Sequence, residues 1–281
     1  MITLKTPAKV NIGLWVENRR KDAYHDIRSL FFPIAIFDTL TFFPITHGVE
    51  LSCNLPYIPV GSANLVVKAA ELFFTYTGVR SGVSIELKKD IPVGHGLGGG
   101  SSDASAALLG LNKLFETNLS YDELRALALE IGMDCPFFLR PRPYLVTGRG
   151  EDFEKVDIPP FELYIYSPGF GVSTVWAYKH LKRLTKGVNS CRLLLDALVK
   201  RDYEEAGKWL YNSFEDVVYG RYPDLGLMVE WFRNKGAWFA GMSGSGSSLF
   251  AAFPVGFEVK LPLEQKGKLF RTTTLEKWGV V

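Results

Sequence analysis

The chain predicts an α+β fold in two domains, and three observations carry that prediction. Along the opening segment Val10, Ile12, Leu14 and Val16 fall on one face and Lys9, Asn11, Gly13 and Trp15 on the other, the period of a strand. Further on, Ala104, Ala107, Leu108, Leu111, Leu114 and Phe115 recur at helical spacing. Strands and helices then mix without the regular strand–helix–strand alternation of a parallel sheet. A loop at Gly148-Arg149-Gly150 and a new strand soon after place a boundary near residue 155, giving domains of residues 1–155 and 156–281.

Each element has its own local signal. Aromatic and β-branched residues mark strands at Thr39–Phe43 and Val49–Cys53. A helix is expected over Leu65–Tyr76, then a strand at Val83-Ser84-Ile85-Glu86-Leu87, which alternates as a strand with one wet face does. After a glycine-rich loop and its helix, Ser120 and Glu123 form a capping box ahead of the stripe Leu124, Leu127, Ala128 and Ile131, and Gly132 stops that helix. The second half restarts with a strand at Leu163–Tyr166 and a Ser167-Pro168-Gly169 turn. Helices are expected over Thr174–Leu184, Leu193–Lys200 and Tyr203–Val218. Pro223 suits the first residue of a helix ending before Gly236. Trp238-Phe239-Ala240 leads into a glycine- and serine-rich loop, Gly241–Ser247, and a strand at Ser248–Phe253.

Composition excludes several classes. Charged residues are 22% of the chain and hydrophobic residues 47%, as in soluble globular proteins. The net charge, 32 − 30 = +2, makes no basic surface for nucleic acid. Cys53, Cys135 and Cys191 are odd in number and lack metal-ligand spacing, which points to reduced thiols in a cytoplasm. His25, His47, His95 and His180 show no zinc-type spacing either. Lys5, Lys9 and Asn11 interrupt any apolar signal core, and the apolar run at Leu30–Phe37 is too short for a membrane span and contains Pro33.

The segment from Pro92 to Asp103 is the richest in chemistry. Five of the seven residues from Gly94 to Gly100 are glycine. Glycine loses the most backbone freedom on ordering, so such a run belongs where main chain must approach a ligand closely. It feeds a helix N-terminus, whose free N–H groups and positive dipole end attract phosphate. No Lys follows the glycines, so this is not a Walker A loop. Gly94, Gly96 and Gly99 satisfy the dinucleotide pattern, but the preceding strand alternates instead of reading as the continuous apolar run of a Rossmann first strand. A nucleotide phosphate cradle remains, set against a flexible loop with a helix cap.

Three segments together resemble the GHMP kinases. Thr6-Pro7-Ala8-Lys9-Val10-Asn11-Ile12-Gly13-Leu14 is similar to the first motif of that superfamily, Pro92–Ser105 to the second and Gly241–Ser248 to the third. The resemblance implies a ribosomal-protein-S5-domain-2-like first domain, a ferredoxin-like α/β sandwich as the second, and an active site in the cleft between them. It implies transfer of a phosphoryl group from ATP, with Mg²⁺, to an alcohol. The Pro-Ala-Lys-Val-Asn opening followed by Tyr24-His25 is similar to the branch whose small-molecule acceptor carries a cytidine diphosphate group. The early acidic signature of galactokinases and mevalonate kinases is absent. Two departures stand out: Ala23 where the family usually has Gly, and His95 inside the glycine loop.

The chemistry needs phosphate neutralisation and a base for the hydroxyl proton. Asp134, in Met133-Asp134-Cys135-Pro136-Phe137-Phe138, reads equally as a helix N-cap or, in the family's Asp-x-Pro-x-Phe context, as the base. Lys9 and Asn11 share one strand face, which alone suggests a solvated face; beside Asp134, Lys9 becomes the cation that keeps the carboxylate ionised. The nucleotide would meet Pro92, Gly94, Gly96, Leu97, Gly98, Gly99 and Gly100, with hydroxyls from Ser101 and Ser102. Lys89 either reaches the nucleotide or belongs to a solvated turn. Asp103 reads as a helix-start carboxylate. On the acceptor side stand Asn11, Tyr24, His25 and Phe31, with Thr174, Tyr178 and Gly244 added by the resemblance, although Phe31 and Tyr178 suit core packing as well. The rival readings are another GHMP kinase such as homoserine kinase, or a non-catalytic nucleotide binder of the same fold. The chain is expected to work in the cytoplasm as a monomer or weak homodimer.

Overall fold

The spine is a pair of long antiparallel strands, β1 (Ile2–Arg19) and β2 (His25–Ile45), in a computed structural model that describes residues 1–279. The remainder of the first half adds β3 (Val49–Cys53), α1 (Leu65–Thr77), β4 (Gly82–Lys88), α2 (Gly99–Leu114), α3 (Tyr121–Ile131), α4 (Cys135–Leu139), β5 (Tyr144–Thr147) and β6 (Asp152–Lys155). Its six-stranded sheet runs β3-β4-β2-β5-β6, with β1 on β2. The second half holds β7 (Glu162–Ser167), α5 (Thr174–Lys179), α6 (Val188–Val199), α7 (Tyr203–Trp209), α8 (Glu215–Arg221), α9 (Pro223–Asn234), β8 (Phe239–Met242), β9 (Leu249–Ala252) and β10 (Lys268–Thr273). Its four strands pair in the order β10-β7-β9-β8, which is last, first, third, second, as in ferredoxin-like sheets. No helix among the described residues is long and apolar enough to cross a membrane.

Local signals hold where partners are local. Ser120 accepts from the Glu123 amide while Glu123 accepts from that of Ser120, a closed capping box at α3. Pro223 opens α9 as expected. Elsewhere tertiary contacts override the pattern. The expected helix over Tyr203–Val218 is two helices, because the intervening residues hydrogen-bond to β1: Leu14 N–H donates to the Tyr211 carbonyl (2.7 Å) and Ser213 N–H to that of Leu14 (2.9 Å). The helix expected to reach Leu184 ends at Lys179, and β5, β6, α4 and β10 carried too little periodicity to be read from four to six residues each.

The alternation in β1 is also corrected. Gly13 inserts a bulge at φ +79°, and a one-residue slip exchanges the faces of a strand. Trp15 therefore joins Val10 and Ile12 in one apolar cluster, while Leu14 and Val16 pack in another. The first cluster is shared between the halves, joining Val10, Ile12, Leu30 and Phe32 to Ile165, Leu194 and Phe250. A second lies between the sheet and helices α1–α3, around Phe42, Phe73 and Leu108.

Candidate active site

A cleft of about 700 Å³ opens where β1, the glycine loop and the second half meet. The loop keeps its glycines for steric reasons. Gly98, at the N-cap of α2, has φ +71°, and a Cβ there would stand 2.8 Å from Phe138 Cζ and 2.9 Å from Lys9 Cγ. A Cβ on Gly96 would stand 2.5 Å from the Ser243 carbonyl oxygen. Gly94, Gly96, Gly98 and Ser101 line the cleft. Gly99 is buried over Ile91, Gly100 is exposed, and Pro92 is half-buried. Leu97 sends its side chain into the core while its carbonyl accepts from Lys9 N–H at 2.9 Å.

Two expected nucleotide contacts turn elsewhere. The Ser102 hydroxyl is fully buried and donates to the Pro7 carbonyl at 2.6 Å, with Thr6 Oγ1 at 2.5 Å, so it ties α2 to β1. Lys89 is buried between Asp38 and Asp103, and its ammonium stands 2.7 Å from the Asp103 carboxylate. Asp38 also accepts from the amides of Asp90 and Ile91 at 2.6 and 2.8 Å, which anchors the start of the loop. Burial pushes the Asp103 carboxyl well above its usual range, against the opposing pull of Lys89. Lys89 is thus a buried ion-pair partner, neither a solvated turn residue nor a free cation. The sequence reads Asp103 as a helix-start carboxylate, but α2 begins at Gly99 with no acidic residue in its first turn, and Asp103 lies one turn further in, its carboxyl inside this cluster.

Lys9 and Asn11 are 5% and 1% exposed, so the face read as solvated is covered. The Lys9 ammonium lies 3.4 Å from Asp134 Oδ2, donates to Asn11 Oδ1 at 2.5 Å and sits 4.4 Å above the Phe31 ring. Asp134 occupies the N-cap position of α4, yet its side chain makes no capping bond. Its carboxylate faces Lys9 instead. Phe31 is buried against Phe137 (5.5 Å, edge-on) and lines the cleft, so packing and site coincide there.

At the other end of the cleft, His25 stacks on Tyr178 with ring centroids 4.9 Å apart. Burial, then Arg19, holds the His25 imidazole below its ordinary value. Burial pushes the Tyr178 phenol up to about 12. Tyr24 is 48% exposed at the rim. Ala23 before it takes φ +66°, the left-handed region that glycine occupies at no cost; about 1–2 kcal/mol of strain accompanies the substitution. Thr174 bonds Ser245 at 2.8 Å, and Gly244 approaches Asn11 so closely that a Cβ would stand 3.2 Å from its Oδ1. Arg149 was missed in the sequence: it lines the cleft with its guanidinium 5.2 Å from the Tyr24 ring, held by Glu151 at 2.7 Å. The glycines either side of it were its one visible signal.

Residues 64–141 match the model of the GHMP kinases N-terminal domain and residues 194–260 that of the GHMP kinases C-terminal domain. The chain is 37% identical over 255 residues to the 4-diphosphocytidyl-2-C-methyl-D-erythritol kinase of Chlorobium phaeobacteroides strain BS1, covering 90% of this chain and 89% of that one. It superposes with a TM-score of 0.81 on a crystal structure of 4-(cytidine 5'-diphospho)-2C-methyl-D-erythritol kinase, at 32% identity and covering 97% of this chain and 99% of that one. A homoserine kinase from Cytophaga hutchinsonii shares the fold (TM-score 0.71, covering 99% and 97%) at only 17% identity.

Proposed function

The chain belongs to the GHMP kinases and, among them, to the 4-diphosphocytidyl-2-C-methyl-D-erythritol kinases, and from that premise we propose how its cleft moves the γ-phosphoryl group of ATP to the acceptor's 2-hydroxyl in the non-mevalonate isoprenoid pathway. The observation that carries the mechanism is the Lys9–Asp134 pair at the mouth of the glycine loop. Asp134 takes the hydroxyl proton as the acceptor oxygen bonds to phosphorus and the bond to the leaving ADP oxygen breaks. Lys9, 3.4 Å away, orients that carboxylate and offsets charge on the transferring group. The main-chain N–H groups of the loop and of the first turn of α2 bind phosphate oxygens.

ATP brings the phosphoryl group, and Mg²⁺ bound with it would supply neutralisation of phosphate charge. The donors facing the cleft near the loop, the Ser101 hydroxyl and the Asp134 carboxylate, are oxygens, as that ion requires. Tyr24, His25 and Tyr178 accept the cytosine by stacking and edge hydrogen bonds, Phe31 walls the cleft below Lys9, and Thr174 and Gly244 face the diphosphate. Every group invoked comes from one chain, so a monomer suffices, and the free cysteines suit a cytoplasmic setting.

The test is coupled ADP release with 4-diphosphocytidyl-2-C-methyl-D-erythritol, homoserine, mevalonate and galactose offered separately. Turnover confined to the first is expected. Faster turnover of homoserine would move the chain to another branch, and no turnover with any acceptor would make it a nucleotide binder.

A further inference from the structure

The segment Tyr211-Asn212-Ser213 breaks what would otherwise be one helix, and its hydrogen bonds explain the break. Asn212 is 4% exposed, and every polar atom of its carboxamide is engaged. Its Nδ2 donates to the carbonyls of Met242 (2.8 Å) and Gly244 (2.9 Å), and its Oδ1 accepts from Phe214 N–H (2.9 Å). Three residues on, half-buried Glu215 accepts from Met242 N–H at 2.9 Å. The loop Gly241–Ser247 is therefore gripped at its start from one side. Ser213 meanwhile bonds β1 on both sides of Trp15, donating its own N–H to the Leu14 carbonyl and accepting at Oγ from Val16 N–H.

On its opposite side the loop presses on Asn11. Ser243 Oγ accepts from Asn11 N–H at 3.1 Å and donates to the Gly96 carbonyl at 3.0 Å, while Gly244 lies against Asn11 Oδ1. Asn11 Nδ2 donates to Ser29 Oγ at 3.1 Å, which leaves Oδ1 as the face presented to Lys9. The contacts form one chain from Asn212 through Gly244 and Asn11 to Lys9 and then Asp134.

We infer that Asn212 is a positioning residue for phosphoryl transfer: it sets the third glycine loop against Asn11 and so fixes the Lys9 ammonium opposite Asp134. The inference rests on the kinase reading above. Two bonds from one rigid amide define where a loop rich in glycine can sit, and small misplacements of reacting groups are expensive in rate. Asn212→Ser removes both bonds to the loop. It is expected to lower kcat about tenfold or more while KM for ATP and for the acceptor change less than about threefold.

Asn212→Ser, Asn11→Ala and the double variant close a cycle, assayed well below each melting temperature. If Asn212 acts through Asn11, the double variant loses no more kcat than Asn11→Ala alone. Multiplied losses would overturn the inference, as would a loss in Asn212→Ser that matches only its folded fraction. Should Asn212→Ser fail to fold, Gly244→Ala displaces the same contact from the other end, and the same non-additivity with Asn11→Ala is expected. Wild-type turnover of 4-diphosphocytidyl-2-C-methyl-D-erythritol, measured alongside, tests the kinase reading separately: its absence removes that reading, whereas turnover with multiplied losses removes only the role of Asn212.

Discussion

Asp134 stands where a capping carboxylate would stand, and its side chain turns from the helix to the ammonium of Lys9, 3.4 Å away. The helix start gains nothing from this carboxylate beyond its position. Asp134→Asn should therefore leave the melting temperature nearly unchanged while kcat falls by roughly 10² or more. Asp134→Ala should cost less than the ~1 kcal/mol of a true N-cap. Turnover numbers and thermal melts on both variants check this, and an active Asn variant would end the role of Asp134 as the base.

Lys89 gives the opposite pattern. Its ammonium is the cation between two buried carboxylates, Asp38 and Asp103. Lys89→Met leaves both carboxylates without it, and removing one partner of a buried pair costs about 3–5 kcal/mol. Urea unfolding should show that loss, whereas KM for ATP, measured where the variant is folded, should change little. A stable variant with weakened ATP binding would restore Lys89 to the nucleotide.

Gly100 offers the cleanest probe of the phosphate cradle. At Gly99 a side chain would meet Ile91 and Lys89 at 3.0 Å, so binding and folding effects mix. A methyl at Gly100 meets only Leu65 Cδ1, at 3.6 Å, on an exposed first turn. Gly100→Ala should gain up to about 0.5–1 kcal/mol of stability from reduced backbone freedom. If phosphate lies over that turn, KM for ATP rises several-fold and KM for the acceptor does not. Unaltered ATP kinetics would place the nucleotide elsewhere.

His95 links the glycine loop to the second half through a hydrogen bond between its Nδ1 and Ser167 Oγ. Burial holds its imidazole below the ordinary value of 6.5. The folded state thus binds fewer protons than the unfolded one, so its contribution is complete above about pH 6.5 and is lost as the pH falls below it. Between about pH 7.5 and 5.5 the wild type should lose more melting temperature than His95→Gln, which cannot charge. Parallel losses in the two proteins would show that His95 does not titrate in that window.

What was legible in the sequence is what neighbouring residues decide. The Ser120–Glu123 box, Pro223, the glycine run and the Asp134 segment all signal through residues a few positions apart. The rest depends on distant partners. Lys89 reads as a surface turn until Asp38, from another strand, closes over it. Ser102 reads as a phosphate ligand until Thr6 and Pro7 take its hydroxyl. The bulge at Gly13 reverses which side chains enter the cleft, and period-two counting cannot register an extra residue. Arg149 lay in plain sight, but nothing local shows that a hairpin tip reaches Tyr24.

The apolar cluster shared by the two halves bears on how the protein could be taken apart. Val10, Ile12, Leu30 and Phe32 are covered in part by Ile165, Leu194 and Phe250. A cut at residue 155 would leave each piece with a bare oily wall. Denaturant should accordingly melt the chain in a single step, and separately expressed pieces 1–155 and 156–281 should clump alone and turn soluble only when refolded in one tube.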